Sequence, residues 1–411
     1  MLLLRYLALM VENAPLYHKP SRSLALEKLI DFIPKAGLNY RNKRNYDFGP
    51  SNHNYVSQLS PFIRRRILTE AEVLRAILNK YSLSSSEKFV QEVFWRTYWK
   101  GWLEMRPSVW LDYQNDLSRL ENQIMTQAGL RKSWETACEG KTEIDCFDFW
   151  ACELKETGYL HNHARMWFAS IWIFTLNLPW QLGADFFLRH LLDGDPASNT
   201  LSWRWVAGLQ TQGKTYLARR DNISKFTNDR FAPVGLSSSA TALKGQPHPN
   251  ISILNLSNLP SSDLRTGLLI HNDDLELSPI LNGLRIESTI AVNNLDQISP
   301  WSCANSVHTF INSLIEDVSI RYRDKIGAVK IISTADEVEN WYHENKIEQI
   351  VVAYAATGPN ASFIKNLNKR GLNVVQISKE YDQIAWPHAT HGFFRFKEKI
   401  PALINELGLM S

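Results

Sequence analysis

The stretch that decides the fold is residues 157–205, TGYLHNHARMWFASIWIFTLNLPWQLGADFFLRHLLDGDPASNTLSWRW. Its apolar run from Met166 to Trp180 is rich in tryptophan, and a polar turn at 193–199 follows. A large flat cofactor buried among helices needs apolar walls and a few well-placed polar groups, and Arg165 can offer a fixed fork to a phosphate. A tryptophan-rich core helix followed by a capped turn is also ordinary packing, so composition alone leaves both interpretations open.

The composition of the 411-residue chain is that of a globular protein with room for two domains. Hydrophobic residues make up 44% of it, and the formal net charge of +3 means that any basic surface must be local. The apolar start at residues 1–10 is too short for a membrane span and contains Arg5. The four cysteines lack metal-ligand and disulfide spacing, which predicts reduced thiols and a cytoplasmic location. His161 and His163 have no further ligand set, so no metal site is predicted.

The pattern of apolar residues changes along the chain and predicts two domains. Residues 1–235 read as helical, and residues 236–262 form a linker rich in Ser, Pro, Asn and Gly. In residues 263–411 short β-rich runs alternate with helical ones, which implies a parallel sheet covered by helices. The predicted fold class is α + α/β, an all-helical domain followed by a smaller Rossmann-like domain with strands at 266–271, 289–292, 328–333, 349–354 and 373–377.

A second informative stretch is EVFWRTYW, residues 92–99, which has helical spacing. Glu92 and Arg96 lie four residues apart, and on its own this pattern indicates an amphipathic helix with an i,i+4 ion pair. Upstream, SQLSP at 57–61 reads alone as a loop that leads into a helix. The basic run at 64–66 indicates a solvated face or, alternatively, contacts with DNA phosphates.

Taken together, these motifs resemble the DNA photolyase and cryptochrome family over residues 37–231. Several spaced motifs in the family's order make a specific signal, unlike one short motif alone. The resemblance rests on Ser57-Gln58-Leu59-Ser60-Pro61, Glu92-x-x-Trp95-Arg96, Gly158-Tyr159-Leu160-His161-Asn162, Arg165-Met166, Asp193-Gly194-Asp195 with Asn199, and Trp203-Arg204-Trp205.

The resemblance implies a helical FAD-binding domain that repairs cyclobutane pyrimidine dimers in ultraviolet-damaged DNA with light, a carbon-carbon lyase reaction. Photoexcited reduced FAD would supply the electron, and the protein would place the cofactor and the lesion. The main alternative is a cryptochrome-like blue-light photoreceptor that uses the same FAD for signalling. A flavin-free interaction protein is a third possibility. An antenna chromophore remains open, and no membrane partner is expected.

The resemblance also assigns roles residue by residue. The residues that would hold FAD are Tyr40, Ser57, Leu59, Ser60, Arg96, Asn162, Arg165, Asp193, Asp195 and Asn199. Those that would line the lesion pocket are Glu92, Trp95, Asn162, Met166 and Trp205. The catalytic set would be Glu92, Asn162 and Asn199, together with the electron carriers Trp180 and Trp203.

Single positions within the motifs bear on the type of lesion. Asn162 and Met166 stand where (6–4) photolyases typically carry catalytic histidines, and Asn199 stands where plant and animal cryptochromes commonly differ. Both points favour dimer repair. Val56 departs from the family's usual Thr, and the outermost tryptophan of the electron-transfer chain has no counterpart. The candidates to replace that tryptophan are Trp110, Tyr113 and Trp134.

The order of the two domains departs from the family, in which the α/β domain comes first. Residues 268–279, LLIHNDDLELSP, resemble the family's first strand and the loop after it, so we expect a permuted arrangement. The tail at 382–401, DQIAWPHATHGFFRFKEKIP, is dense in aromatic residues and is predicted to dock against the helical domain.

Overall fold

The computed structural model describes Tyr17, residues 19–256 and residues 259–410. Residues 1–16, which contain the apolar start and the beginning of the predicted helical domain, lie outside the described residues. The same holds for residue 18, for residues 257–258 of the predicted linker and for residue 411. Within the described part of the chain, no helix is long and apolar enough to cross a membrane.

The first part of the chain is helical, as predicted, and its described residues contain no strand. The stretch 92–99, predicted to be helical, lies within α5, and α9 continues as a π-helical turn over Ile171–Thr175. In chain order the α-helices are α1 (Arg22–Phe32), α2 (Leu38–Lys43), α3 (Ser60–Arg64), α4 (Glu70–Leu78), α5 (Leu83–Glu104), α6 (Ser108–Thr126), α7 (Ala128–Glu139), α8 (Asp145–Thr157), α9 (Asn162–Ser170), α10 (Trp180–His190), α11 (Pro196–Val206) and α12 (Arg220–Phe226).

The polar turn expected at 193–199 ends earlier than predicted, because α11 begins at Pro196. The side chain of Asp195 caps this helix and accepts a hydrogen bond of 2.8 Å from the Ser198 backbone N–H. Proline fits the first helical position because its fixed φ suits the helix and its missing N–H needs no partner there. The turn and the helix start are therefore one local unit that presents Asp195 at a helix N-terminus.

Aromatic side chains fill the core of the helical part. Trp167, Trp172 and Trp203 are fully buried, and they come from α9, its π-helical turn and α11. Helices α10 and α11 pack so closely that a Cβ atom on Gly183 would lie 2.3 Å from the Trp203 ring. Glycine at 183 therefore fixes where the Trp203 indole lies.

The second part of the chain is an α/β unit whose sheet has the order β3-β2-β1-β4-β5 with all neighbours parallel. This confirms the predicted fold class, and the first predicted strand has the bounds of β1. The strands are β1 (Thr266–His271), β2 (Ile286–Val292), β3 (Val329–Ile332), β4 (Gln349–Ala353) and β5 (Val374–Ile377). The helices are α13 (Ser278–Leu281), α14 (Asn305–Arg321), α15 (Arg323–Ile326), α16 (Ala335–Glu344), α17 (Pro359–Lys369), α18 (Glu380–Ala385), α19 (Phe393–Lys397) and α20 (Ile400–Glu406).

The two faces of the sheet have different partners. Leu269 points to the face that packs with Val338 of α16 and Phe363 of α17 in a separate core. Leu268 and Ile270 alternate to the other face and join a core that is continuous with the helical part. The sheet is therefore covered on both sides, as parallel sheets usually are.

The basic run at 64–66 is buried between the two parts of the chain. Arg64 lies 2.6 Å from Asp273, which follows β1, and Arg66 lies 2.6 Å from Asp382 in α18. A buried guanidinium is tolerated when carboxylates pair with it. Both interpretations of this run from the sequence, a solvated face and contacts with DNA phosphates, are wrong, because its charges join the α/β unit to the helical part.

The tail docks on helix α5, as predicted. The Thr97 and Tyr381 hydroxyls lie 2.8 Å apart, and the Tyr98 hydroxyl donates a hydrogen bond of 2.8 Å to the His391 carbonyl. The predicted linker also contacts the helical part, because the Ser252 backbone N–H donates a hydrogen bond of 2.8 Å to the Met105 carbonyl. Its described residues contain no helix or strand.

Candidate functional site

Two of the predicted site residues, Asp195 and Arg96, meet at the turn that precedes α11. One carboxylate oxygen of Asp195 lies 3.2 Å from Arg64 Nε and 3.6 Å from Arg96 Nη1. Burial alone would raise the pKa of Asp195, but these guanidinium groups and Lys100 hold it well below its ordinary value. Asp195 is therefore ionised and presents negative charge at this point of the site.

Arg165 and Asp193 form a two-pronged ion pair. The Arg165 Nη1 and Nη2 atoms donate to the two Asp193 carboxylate oxygens at 3.0 and 2.9 Å, and Arg165 Nε donates to the Leu160 carbonyl at 2.9 Å. The fork expected to face a phosphate is thus filled by Asp193. The pair ties the start of α9 to the turn before α11.

Helix α5 contributes Arg96 and Glu92, but they do not pair with each other. Arg96 Nε lies 3.1 Å from Glu70, and Glu92 pairs instead with Arg44, which follows α2. The i,i+4 pair indicated by the sequence is therefore wrong. Burial raises the pKa of Glu92 above its ordinary value, although Arg44 opposes the shift. Sequence reasoning did not identify Arg44 as the partner of Glu92.

The segment before α3 forms a turn in which Gln58 has a φ of 51°, in the left-handed region. The Ser57 hydroxyl accepts a hydrogen bond of 3.3 Å from the Leu59 N–H, and Tyr17 donates to the Gln58 carbonyl at 2.7 Å. Leu59 is fully buried, so its side chain anchors the turn, while Ser60 is exposed at the first position of α3.

Tyr40 is buried, and its ring packs edge-on against Phe32 at 5.7 Å and Phe89 at 5.3 Å. Burial and the nearby Glu92 carboxylate raise the pKa of Tyr40, so this hydroxyl stays protonated. Tyr40 thus lies beside the Glu92 and Arg44 pair and is mainly a core residue in its contacts.

The start of α9 forms a wall with the end of α11. Asn162 is exposed and Met166, one turn later, is half-buried. The Tyr216 hydroxyl lies 3.3 Å from His163 Nε2, and the Tyr216 ring stacks on Trp205 at 5.7 Å. We use the name α9 wall for Asn162 and Met166 of this helix together with Trp205 and Tyr216.

Sequence reasoning missed two residues of this wall region. The sequence pattern assigns no role to Tyr216 and offers His163 only as a possible metal ligand. The described residues contain no cluster of His, Cys, Asp or Glu that could hold a metal ion. His163 instead stacks on Trp167 at 4.1 Å and contacts the Asn45 carbonyl at 2.9 Å. The aromatic spacing of His163 and Trp167, four residues apart, was the signal for this stacking.

Trp95 is half-buried, and the tail covers one of its faces. Its ring stacks on Phe393 with centroids 3.5 Å apart and planes 12° from parallel. Trp95 also contacts Trp99, at 5.2 Å. One flat face of Trp95 is therefore occupied by a side chain of the same protein.

The predicted electron carriers lie on adjacent turns of α10 and α11. Trp203 contacts Phe187 at 5.1 Å and lies against Gly183, which is one turn beyond Trp180. The Trp180 ring lies 5.7 Å from Tyr113, and the Tyr113 ring lies 5.1 Å from Trp110. Trp134 instead pairs with Trp301 of the α/β unit, at 5.0 Å. Two of the three candidates to extend the path, Tyr113 and Trp110, are therefore in contact with it.

The chemistry of these groups fits FAD. Ser57, Ser60 and Arg96 are donors, which the phosphates of a dinucleotide require. Asp195 and Asn199 have carbonyl or carboxylate oxygens for ring N–H and ribose hydroxyl groups, and the Asn199 amide itself donates to the Ala184 carbonyl at 2.7 Å. The buried Trp203 Nε1 atom lacks a hydrogen-bond partner among the described residues.

Comparison with known proteins supports the same cofactor. The family model described as the FAD binding domain of DNA photolyase matches residues 89–233. A deoxyribodipyrimidine photo-lyase of Streptomyces griseus is 33% identical over 181 residues, which are 41% of this chain and 38% of that protein. A cryptochrome DASH of Idiomarina loihiensis is 27% identical over 224 residues, which are 53% of this chain and 47% of that protein.

Among solved structures, a bacterial class III photolyase from Agrobacterium tumefaciens has a TM-score of 0.43 at 28% identity. The match covers 51% of this chain and 43% of that one. The chain thus spans less than half the length of each of these three relatives.

Proposed function

We propose that the protein repairs cyclobutane pyrimidine dimers in DNA with light, because residues 89–233 match the FAD binding domain of DNA photolyase and the chain is similar to photolyases. Reduced FAD, when bound and excited, would supply the electron that splits the dimer. The chain itself binds the cofactor, orients the lesion and keeps water away from both. The proposed activity is that of a carbon-carbon lyase acting on ultraviolet-damaged DNA.

The proposed cofactor site divides into direct contacts and support. Ser57 and Ser60 would hold the phosphates, and Asp195 and Asn199 would face the polar edge of the cofactor. Arg96 already contacts Glu70 and Asp195, so it would contribute mainly its positive charge. The Arg165 fork is already filled by Asp193, so this pair positions the turn before α11 rather than binding a phosphate. Leu59 and Tyr40 act through packing, because both are buried. We assign Asn162 both to the set of residues that contact FAD and to the α9 wall.

The observation that carries the proposed repair function is the α9 wall. By resemblance to the family, Asn162 and Met166 favour dimer repair, and both lie near the start of α9. His163 of the same helix contacts the Tyr216 hydroxyl, and the Tyr216 ring stacks on Trp205. An indole such as that of Trp205 and an amide such as that of Asn162 would suit an extruded pair of bases, which need stacking and a few hydrogen bonds. Glu92, which pairs with Arg44, would hydrogen-bond the dimer.

The experiment that tests this function compares DNA binding in the dark. The FAD-loaded full chain is titrated with two duplex oligonucleotides that differ by one cyclobutane dimer. We expect tighter binding of the damaged duplex, and a loss of about 1–3 kcal/mol in Trp205→Ala, by analogy with stacking on single strands. Trp301→Ala, which removes a half-buried tryptophan of the α/β unit, should leave the preference intact. Equal affinity for both duplexes would contradict the proposal.

One observation favours the photoreceptor alternative. Trp95, expected in the lesion pocket, has its face against Phe393. A protein that signals has no need for an open pocket, and a tail that contacts the flavin-binding part could report a change there. This second function predicts no preference for damaged DNA in the same titration, with light-dependent release of the tail instead.

We also propose that the domain order is permuted relative to the family, with a helical domain at 1–235, a linker at 236–262 and an α/β domain at 263–411. The support is the loop after β1, in which Asn272 and Asp273 contact Arg65 and Arg64. A domain that follows the flavin domain in sequence can thus still dock on it through the loop after its first strand.

The four cysteines are free thiols, in keeping with the proposed cytoplasmic location.

A further inference from the structure

A small crevice lies where the sheet meets the helical part, outside the carboxyl ends of β1 and β4. The strand order reverses between these two strands, and this is the position at which open α/β sheets bind their ligands. The volume of the crevice is about 20 Å³, enough for one water molecule or one small ion. Organic ligands need pockets of roughly 300–1,000 Å³, so an organic cofactor does not fit.

Four buried polar atoms on the residues that line this crevice lack a hydrogen-bond partner among the described residues. They are Arg64 Nη1, Arg65 Nε, Asn294 Nδ2 and Asn360 Oδ1. Each of the four residues is 3% exposed. A buried polar group without a partner is destabilising, and such groups are rare in native proteins. Because all four residues line one crevice, we infer that it holds a ligand, and three of the four atoms are donors.

The charges around the crevice favour an anion over a neutral ligand. Arg65 lies 3.7 Å from Asp273, but Asp273 is closer to Arg64, at 2.6 Å. The remaining contacts of Arg65 are the side-chain and backbone oxygens of Asn272, at 3.2 and 3.3 Å. Arg64 also pairs with Asp195, which Arg96 shares, whereas Asp273 is the one carboxylate within 4.0 Å of Arg65 among the described residues. Burial and the neighbouring Arg64 lower the pKa of Arg65 to about 9, as expected for a cation that lacks a full counter-charge.

We propose that the crevice binds a single chloride-sized anion, held by Arg64, Arg65 and Asn294. The anion would accept hydrogen bonds from Arg64 Nη1, Arg65 Nε and Asn294 Nδ2. Helix α17 begins at Pro359 beside the crevice, and the positive end of its dipole adds to the attraction. The site is complete only when both parts of the chain are docked, because Asn294 belongs to the α/β unit.

The consequence is that the anion links the α/β unit to the turn that precedes α11. Arg64 Nε donates to the Gly194 carbonyl at 2.8 Å and lies 3.2 Å from Asp195. An anion that holds the Arg64 guanidinium therefore stabilises the docked arrangement of the two parts. This inference does not rest on the proposed repair reaction, since it concerns a different group of atoms.

The test measures the thermal unfolding of the full chain in sodium chloride and in sodium gluconate at equal ionic strength. Gluconate is too large for the crevice. We expect the midpoint to rise by about 2–4 °C in chloride, because a ligand that binds the folded state alone stabilises it. Crystals grown in sodium bromide should then show one anomalous peak between Arg64, Arg65 and Asn294.

The matched variants are Asn294→Asp and Asn122→Asp. The first replaces a donor with a carboxylate that repels an anion, so the chloride shift should disappear. The second makes the same change at an exposed position of α6, and the shift should persist. Equal midpoints in the two salts, a shift that persists in Asn294→Asp, or a crevice that holds only water in the bromide crystals would each overturn the proposal.

Discussion

Trp95 and Phe393 are separated by almost 300 residues in sequence, yet their rings lie face to face with centroids 3.5 Å apart. Phe393 is buried, whereas the next residue, Phe394, is 79% exposed. The tail therefore places one phenylalanine on the tryptophan and leaves its neighbour in solvent. Any base that stacks on this face of Trp95 must first displace Phe393.

Replacing Phe393 with leucine tests whether this contact competes with DNA. Phe393→Leu keeps an apolar side chain in place but removes the flat ring, so damaged DNA should bind more tightly. The gain should be within about 1–3 kcal/mol, the range for stacking of one base. Binding is measured by fluorescence anisotropy with an oligonucleotide that carries one dimer. Phe394→Leu is the control, and equal affinity in both variants would show that the contact is structural only.

The ion pair between Arg165 and Asp193 should matter for the cofactor. Arg165→Lys loses the planar fork, and we expect the free energy of unfolding to fall by about 2 kcal/mol, the scale of a hydrogen bond to a charged group. FAD should also dissociate faster on dilution. Arg119→Lys makes the same change in the exposed pair with Asp116, where we expect less than about 1 kcal/mol. Similar effects of the two substitutions on unfolding and FAD release would refute the role assigned to Arg165.

Tyr113 should extend the path of redox-active rings beyond Trp180. Tyr113→Phe should slow light-driven reduction of bound FAD, because phenylalanine is much harder to oxidise. Stability should hold or rise by about 1 kcal/mol, since the buried Tyr113 hydroxyl has no hydrogen-bond partner among the described residues. Trp134 is outside this path, so in Trp134→Phe the light-driven reduction of bound FAD should be as fast as in the unmodified protein. Unchanged photoreduction in Tyr113→Phe would show that electrons enter elsewhere.

The buried carboxylate of Glu70 should make stability depend on pH. Burial opposes its ionisation, but Arg66 and Arg96 lower its pKa from 4.5 to about 2. Because the folded-state pKa is the lower one, the unfolded chain binds the proton more readily as pH falls. The stabilisation that ionised Glu70 contributes is therefore complete above about pH 5 and is lost as the pH falls toward about 2.

Urea unfolding at neutral and acidic pH measures this contribution. Between pH 6 and pH 3, the unmodified protein should lose roughly 2 kcal/mol more than Glu70→Gln, which cannot titrate. Glu139→Gln, at an exposed pair with Lys141, should follow the unmodified protein. Parallel pH curves for Glu70→Gln and the unmodified protein would contradict the assignment.

Much of the fold could be predicted because its signals are local. The strands of the α/β unit and helix α5 follow from apolar periodicity within short windows. Helix α6 was not identified, although Val109, Trp110, Tyr113 and Leu117 are buried at helical spacing and could have revealed it. The Asp195 cap with Pro196 was also a readable helix start.

The contacts that could not be predicted join residues far apart in sequence. The buried state of Arg64 depends on Asp273, and the covered face of Trp95 depends on Phe393. A charge run or an aromatic side chain has the same sequence signal whether its partner is solvent, DNA or another part of the chain. For that reason the motifs identified the cofactor, but the partners of Arg64 and Trp95 emerged only from the tertiary structure.

The most direct test of the central claim is light-driven repair of one defined lesion. The full chain, loaded with FAD and chemically reduced, is illuminated with an oligonucleotide that carries a single cyclobutane thymine dimer, and chromatography follows the intact thymines. Reduction beforehand removes any dependence on Trp203, Trp180 and Tyr113. If the protein repairs cyclobutane dimers, we expect restoration of the two thymines in light, none in the dark, and no repair of a matched (6–4) lesion. An unchanged dimer after illumination of the reduced, FAD-loaded protein would contradict this expectation.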